Sequence, residues 1–201
     1  PLTPDIVAFY SQQSSKKGSQ TTICDGAELL KHLPNKFLEL FNKPYTISRT
    51  IPKNIWKKYI HDEFSNTNEK TEEDIDDKLL DTFLTSLPGQ TGSLDNQGNL
   101  LYQLKISGLL TSNIGKKTAF ANSILGPSFN YEKPTQTLNN GNLIDRKTLS
   151  ELKTIAEAFT HEIQWKDGDV VIIDNKRVMH GRREIIGDPS YRKLCIGMGN
   201  L

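Results

Sequence analysis

The sequence predicts a mainly β protein with helices on its outer side. Short runs of β-branched and aromatic residues recur along the chain and end at Gly, Pro, Asn or Asp, as strands do. Only two or three windows carry the apolar period of an amphipathic helix. The length of 201 residues favours one domain with a substantial core, and we expect that domain to span 1–201.

The N-terminal part predicts short strands and short helices in alternation. A polar, basic turn separates the first two strands, and Asp25 is placed to cap a helix that ends before Pro34. The other elements expected here are, in chain order, strands at Ile6–Tyr10 and Thr21–Cys24, a helical turn at Asn35–Phe41 and a strand at Tyr45–Ile51.

The middle of the chain predicts one amphipathic helix within Ile55–Leu87. Thr71–Asp74 can cap it, and its acidic face is expected to meet water. The residues on its apolar face are Ile75, Leu79, Leu80, Phe83 and Leu84. We expect 55–98 to form a helical lid over the sheet. Loops are expected around Gly92 and over Pro127–Gly141, and strands at Leu100–Ile106 and Thr118–Ile124.

The C-terminal part has the clearest pattern. Thr148 and Glu151 form a capping box at the start of a helix. The inward face expected for that helix comprises Leu149, Leu152, Ile155, Ala156 and Phe159. A strand at Asp169–Asp174, a loop that carries His180 and a last strand at Lys193–Met198 follow.

Charge and cysteine content limit the partners and the compartment that the sequence supports. A formal net charge of +1 offers no electrostatic argument for nucleic acid or an anionic membrane as partner. Two cysteines are too few for a disulfide framework and favour a reducing, cytoplasmic compartment. The sequence shows no apolar run of membrane-spanning length. Because it opens on Pro1 within a loop-like stretch, we expect it to be part of a longer protein.

One motif carries chemistry. In Trp165–Asn175, an aromatic residue and a tight turn precede a four-residue apolar strand. His180 follows within Asp-Asn-Lys-Arg-Val-Met-His-Gly-Arg, and Arg192 lies twelve residues after His180. An imidazole and a guanidinium on neighbouring strands can hold a metal and a dicarboxylate side by side. This pattern resembles the C-terminal half of the Fe(II)/2-oxoglutarate-dependent dioxygenases of the TauD/TfdA (clavaminate-synthase-like) family.

The resemblance implies a role for three residues. His180 matches the family's distal metal histidine and would be the catalytic metal ligand. Arg192 matches the arginine that binds the distal carboxylate of 2-oxoglutarate. Thr21, within Lys17–Gly26, matches the threonine of the family's Gly-Gly-(Asp/Glu)-Thr segment, whose hydroxyl forms a hydrogen bond with 2-oxoglutarate. Thr22 is the alternative for this role. The family's glycine pair is Gly18-Ser19 in this sequence.

The family's other two metal ligands come from a His-x-Asp/Glu motif before that threonine, and counting back places it upstream of Pro1. His61-Asp-Glu63 has the formal pattern but lies far downstream, in a segment expected to be an exposed helix. Asn122 and Arg183 are candidate substrate contacts, although Asn122 is equally consistent with an ordinary strand position and Arg183 with support of its loop.

The resemblance also implies the fold and the reaction. The fold would be a double-stranded β-helix, or jelly roll. The reaction would use Fe(II), 2-oxoglutarate and O2 to hydroxylate an unactivated C–H bond of a small amino-acid-like or natural-product intermediate. Two alternatives remain: a non-catalytic jelly-roll binding protein that has lost the metal site, and a metal-independent or cupin-like module in which His180 and Arg192 bind an anion.

Overall fold

The computed structural model describes residues 3–14, 17–64, 75–126 and 132–201. The chain forms two compact units. The larger unit comprises Thr3–Lys43, Ser107–Gly126 and Asp145–Leu201, and the smaller comprises Pro44–Ile106 and Pro127–Ile144. The expectations of one domain over 1–201 and of a lid at 55–98 stay predictions.

The larger unit is built on two three-stranded antiparallel sheets. Its strands are β1 (Ile6–Gln13), β2 (Thr21–Asp25), β6 (Leu110–Thr111), β7 (Thr118–Ala119), β9 (Thr160–Ile163), β10 (Val170–Asp174), β11 (Val178–Arg182) and β12 (Lys193–Gly199). One sheet has the order β10-β1-β12 and the other β11-β2-β9, while β6 and β7 form a separate pair. The two strands at the start of the chain therefore belong to different sheets.

A small apolar core joins these two sheets. Alternation along β1 turns Val7 and Phe9 inward, where they pack with Ile173 of β10. Partly buried side chains from both sheets and from the segment between β9 and β10 complete the cluster: Ile23, Trp165, Val171, Val178 and Leu194. The inner faces of the two sheets therefore pack against each other, and the strands involved carry or adjoin the candidate site residues.

Three helices accompany the sheets of the larger unit: α1 (Gly26–His32), α2 (Asn35–Phe41) and α5 (Arg146–Glu157). Asp25 caps α1, as predicted, by accepting hydrogen bonds from the peptide N–H groups of Ala27 and Glu28. The cap of α5 is Asp145 rather than Thr148, so the predicted capping box is wrong by three residues. The predicted inward face of α5 is confirmed by the burial of Leu152 and Ala156.

The described residues of the smaller unit form a four-stranded sheet and two helices. Its elements are β3 (Tyr45–Ile51), α3 (Lys53–Phe64), α4 (Asp77–Thr85), β4 (Gln90–Leu94), β5 (Leu100–Ile106) and β8 (Thr135–Thr137). The sheet has the order β4-β5-β3-β8. The predicted apolar face of α4 is confirmed, because Ile75, Leu80 and Leu84 are buried and Leu79 and Phe83 pack against them.

Several boundaries differ from the expectation, chiefly where a short strand depends on a distant partner. In its described residues, the region predicted as one helix contains two, α3 and α4, and Asp76 caps α4. The expected cap at 71–74 lies outside the described residues. Gly92 lies in β4, the predicted loop at 127–141 contains β8, and His180 lies within β11 rather than in a loop. The strand expected at Thr118–Ile124 is only the two-residue β7. Among the described residues, no helix has both the length and the apolarity to cross a membrane.

Candidate active site

Thr21 is the buried centre of the candidate site. It begins β2, and only 2% of its surface is exposed. The indole Nε1–H of Trp165 donates a hydrogen bond to the Thr21 hydroxyl oxygen over 3.0 Å, and the Arg192 Nη2–H donates to the same oxygen over 3.3 Å. Because a hydroxyl has two acceptor lone pairs and one proton, these contacts leave Thr21 with its own O–H to donate. The Thr21 hydroxyl therefore favours a ligand atom that accepts, such as a carboxylate oxygen.

Arg192 is brought to Thr21 from 171 residues away. It is half-buried directly before β12, and within the described residues it forms no ion pair with a carboxylate. Burial lowers the pKa of the guanidinium, and the positive charge of Arg182 lowers it further. A guanidinium that is partly desolvated and near a second cation is stabilised by a bound anion.

The Arg192 side chain lines a small cavity of about 90 Å³. Most of the other wall residues come from β1, the 18–20 turn and the segment before β10. They are Ser11, Gln13, Ser14, Gly18, Ser19, Gln20, Ile163, Gln164, Trp165 and Leu194. None of these described wall residues is acidic, and among them Arg192 alone carries a formal charge. The cavity is thus polar and positively charged.

His180 lies on the inner side of the second sheet. It is opposite Ile23 in the pairing of β11 with β2, and its ring meets the Phe9 ring edge-on with centroids 5.4 Å apart. Although more than a third of the residue is exposed, desolvation of the ring lowers the pKa of His180 below its ordinary value. A histidine that stays neutral keeps a ring nitrogen lone pair available to a metal ion.

Comparison with known proteins decides the family. Residues 1–197 match the family described as taurine catabolism dioxygenase TauD, TfdA family. The chain belongs to the TauD/TfdA family. No curated protein matches the sequence.

Solved structures share the fold of this TauD/TfdA chain. The structure of AAD-2 in complex with Mn(II) and N-oxalylglycine is 13% identical, with a TM-score of 0.53, and the match covers 98% of this chain and 63% of that one. A taurine dioxygenase from Burkholderia xenovorans is 12% identical, with a TM-score of 0.54 and coverages of 98% and 52%. PvcB from Pseudomonas aeruginosa is 12% identical, with a TM-score of 0.53 and coverages of 98% and 51%. The predicted jelly roll is confirmed, and the chain spans between half and two thirds of the length of these structures.

The metal site that the TauD/TfdA family implies is incomplete in the described part of the chain. No group of three His, Cys, Asp or Glu side chains in 3–14, 17–64, 75–126 or 132–201 is placed to hold a metal ion. His180 supplies one neutral imidazole, whereas an iron site of the two-histidine, one-carboxylate type needs two further ligands. The described residues therefore do not supply a complete iron site.

Arg183 is held by two carboxylates. Its Nε–H donates to Glu162 over 2.7 Å, and its Nη1–H and Nη2–H donate to the two carboxylate oxygens of Glu157. These bonds raise the pKa of Arg183 and tie the end of β11 to α5 and β9. A structural role accounts for these contacts, and the substrate role of Arg183 stays a prediction.

Asn122 is also engaged by its own neighbourhood. Its side-chain amide donates to the carbonyl oxygen of Gly108 over 2.6 Å, and its Oδ1 accepts from the peptide N–H of Ile124 over 3.0 Å. The first contact ties the segment after β7 to the residue before β6, and the second lies within the turn after β7. The substrate role of Asn122 likewise stays a prediction.

Sequence reasoning missed two features of the cavity. Trp165 was identified only as an aromatic marker before a turn, although its indole N–H positions Thr21. Ser11 is buried on the same face of β1 as Val7 and Phe9, and the period-2 alternation Val7, Phe9, Ser11 was the signal that could have found it.

Proposed function

We propose that the protein to which this chain belongs is an Fe(II)- and 2-oxoglutarate-dependent oxygenase. Membership of the TauD/TfdA family supports the proposal. The observation that carries it is the Arg192 guanidinium, which contacts the Thr21 hydroxyl and lines a cavity whose described wall residues include no acid. A guanidinium with two N–H groups and an adjacent hydroxyl can bind a carboxylate of 2-oxoglutarate.

We assign each residue a part in this function. Arg192 would neutralise the distal carboxylate of 2-oxoglutarate, and the Thr21 O–H would donate to it. Trp165 would hold Thr21 in the orientation needed, since the indole N–H occupies one of its lone pairs. His180 would present a neutral imidazole to the iron.

The remaining two metal ligands are proposed to lie upstream of Pro1. The incomplete cluster in the described residues and the greater length of the structural relatives support this proposal. When bound, iron would supply the activation of O2. The residues of this chain bind and orient the cosubstrate and cover one side of His180 with Phe9.

The substrate is proposed to be a small amino-acid-like or natural-product intermediate that is hydroxylated at an unactivated C–H bond. A cytoplasmic location is proposed from the cysteines, since Cys24 and Cys195 are both free thiols. Asn122 and Arg183 remain candidates for substrate contact. To bind a substrate, each would have to give up hydrogen bonds that it now makes within the protein.

The alternative is a non-catalytic jelly-roll binding protein, which the family match and the structural relatives do not favour. In that case the Arg192 cavity would bind an anionic ligand without turnover.

An anaerobic titration separates the two candidates. The protein with its native upstream residues is titrated with Fe(II) and then with 2-oxoglutarate, and the visible charge-transfer absorption is recorded. The oxygenase predicts a band that is lost in His180→Ala, while that variant still binds 2-oxoglutarate through Arg192. Absence of the band at saturating Fe(II), with 2-oxoglutarate still bound, would establish the binding protein instead.

A further inference from the structure

Two consecutive arginines, Arg182 and Arg183, lie at the end of β11 on opposite faces of its sheet. In the pairing of β11 with β2, Arg182 is directly opposite Thr21, and His180 is directly opposite Ile23. Because alternate residues of a strand share a face, Arg182 lies on the same face as His180 and Ile23. Ile23 packs into the core between the two sheets, so this is the inner face.

The two arginines differ in their partners. Arg183 is held by Glu157 of α5 and Glu162 of β9. Within the described ranges, the guanidinium of Arg182 forms no hydrogen bond and no ion pair, and the residue is exposed. Arg183 therefore accounts for the attachment of β11 to α5 and β9, and the described fold makes no use of the Arg182 charge.

A second cation lies close to Arg182. Arg192 donates to the Thr21 hydroxyl, and Thr21 is opposite Arg182 in the strand pairing, so both arginines adjoin one threonine. The positive charge of Arg182 is near enough to lower the pKa of Arg192. Two neighbouring cations repel each other, and bound anions relieve that repulsion. A single carboxylate at Arg192 would leave the Arg182 charge without an anion.

Arg182 is also near the candidate metal ligand. It lies two residues from His180 along β11, which is about 7 Å in a strand, and the two residues share the inner face. A small acid whose carboxylate is at Arg182 therefore has its carbon chain beside His180.

We infer that Arg182 binds a carboxylate of the primary substrate, next to the cosubstrate carboxylate that Arg192 binds. The inference rests on the proposed function and adds the class of substrate to it, which is a small molecule that carries a carboxylate. A guanidinium binds a carboxylate through two parallel charge-assisted hydrogen bonds. An uncharged substrate would leave Arg182 without an anion.

The test uses acetate as the carboxylate probe and acetamide, which has the same shape and no charge, as its control. The nitrogen-15-labelled protein with its native upstream residues is kept free of metal and saturated with 2-oxoglutarate. The Nε–H signals of the arginines are recorded by NMR and assigned with Arg182→Lys and Arg192→Lys. We expect acetate to shift the Arg182 signal and acetamide to leave it unchanged. The Arg183 signal is the internal reference, because its Nε–H is bound to Glu162.

Variants show whether the shift reflects a binding site, with carbon-13-labelled acetate reporting its own dissociation constant. Arg182→Gln should raise that constant about fivefold, the effect of losing one charge-assisted hydrogen bond at a partly solvated position. It should change the dissociation constant of 2-oxoglutarate by less, because Arg192 and Thr21 still bind that carboxylate. Arg146→Gln, at an exposed arginine of α5, is the matched control and should leave both constants unchanged. Arg182→Gln should also melt like the wild type, which separates a lost ligand contact from unfolding.

The outcomes are distinguishable. If acetate shifts Arg182 and Arg146 alike, or binds Arg182→Gln as tightly as the wild type, Arg182 is an ordinary solvated charge and the inference is overturned while the proposed function stands. If Arg182→Gln weakens 2-oxoglutarate as much as acetate, Arg182 belongs to the cosubstrate site and the inference is overturned as well. If 2-oxoglutarate shifts no arginine signal in the wild type, the proposed function is wrong and the inference falls with it.

Discussion

At the residue scale, the site depends on which atoms can still donate a hydrogen bond. The Thr21 oxygen already accepts from Trp165 and Arg192, and Ser11 and Ser19 have no acceptor within the described residues. Arg192 meets no acid among the described wall residues of the cavity. A positively charged cavity selects anions over neutral ligands.

A prediction at this scale concerns the protonation of His180. Desolvation lowers the pKa of its imidazole below 6.5, so the folded protein binds this proton less tightly than the unfolded chain does. The stability that depends on neutral His180 is present above the unfolded pKa and is lost as the pH falls through the lower folded pKa. Proton NMR of the ring, assigned with His180→Gln, should give a folded pKa below that measured in urea.

Equal pKa values in the folded and unfolded states would contradict this account of the ring's surroundings. Phe9→Ala provides a control, because removing the ring that lies edge-on to His180 should move the folded pKa back towards its ordinary value.

The residues of the site divide into those that sequence can identify and those that it cannot. Thr21 and Arg192 were selected through a motif resemblance, and the structure brings their side chains together. Trp165 needed the fold, because its role depends on a contact with Thr21, which lies far away in the chain. The left-handed φ of Ser19 likewise has no reliable sequence signal.

At the element scale, local signals predicted helices better than short strands. Helix α1 was identified by its cap and α4 by its apolar face, both of which lie within one stretch of sequence. Strand β8 has three residues and exists because it pairs with β3, about ninety positions earlier. Its Gln and Thr residues carry no periodic apolar pattern, so the sequence looked like a loop.

The start of α5 gives a prediction at this scale. The Asp145 side chain accepts from the Thr148 peptide N–H over 2.8 Å and also from the Thr148 hydroxyl over 2.8 Å. Asp145→Ala should lower the free energy of unfolding by about 1 kcal/mol, since it removes the N-cap. Thr148→Ala keeps the cap and should lower it less, as measured by urea denaturation of both variants.

The reverse order, with Thr148→Ala the more destabilising variant, would support the capping box that the sequence predicted. Arg146→Ala is the matched control, because Arg146 is exposed in the same first turn and removal of its side chain leaves the cap unchanged.

At the scale of the whole molecule, one face of a sheet is apolar and exposed. Tyr10 and Val170 are directly opposite each other in the pairing of β1 with β10, and Ile172 lies on the same face. Their exposed fractions are 45%, 61% and 66%. Large exposed apolar side chains that are contiguous promote association.

We therefore expect this chain to self-associate as its concentration rises, and Ile172→Lys to reduce that association by placing a charge on the face. Sedimentation velocity over a concentration series measures the effect. Leu143→Lys is the control, because Leu143 is similarly exposed at 68% but belongs to the smaller unit. Equal association by the wild type and Ile172→Lys would show that this face is not responsible.

The central claim is that the Arg192 cavity of this TauD/TfdA chain binds a carboxylate of 2-oxoglutarate. Isothermal titration calorimetry of the 201-residue chain with 2-oxoglutarate, in the absence of metal, tests it most directly. We predict measurable binding that weakens at least about tenfold in Arg192→Ala and is unchanged in Arg146→Ala, because a half-buried guanidinium–carboxylate contact is lost only in the first variant. Binding of equal strength in the wild type and in Arg192→Ala would contradict the claim.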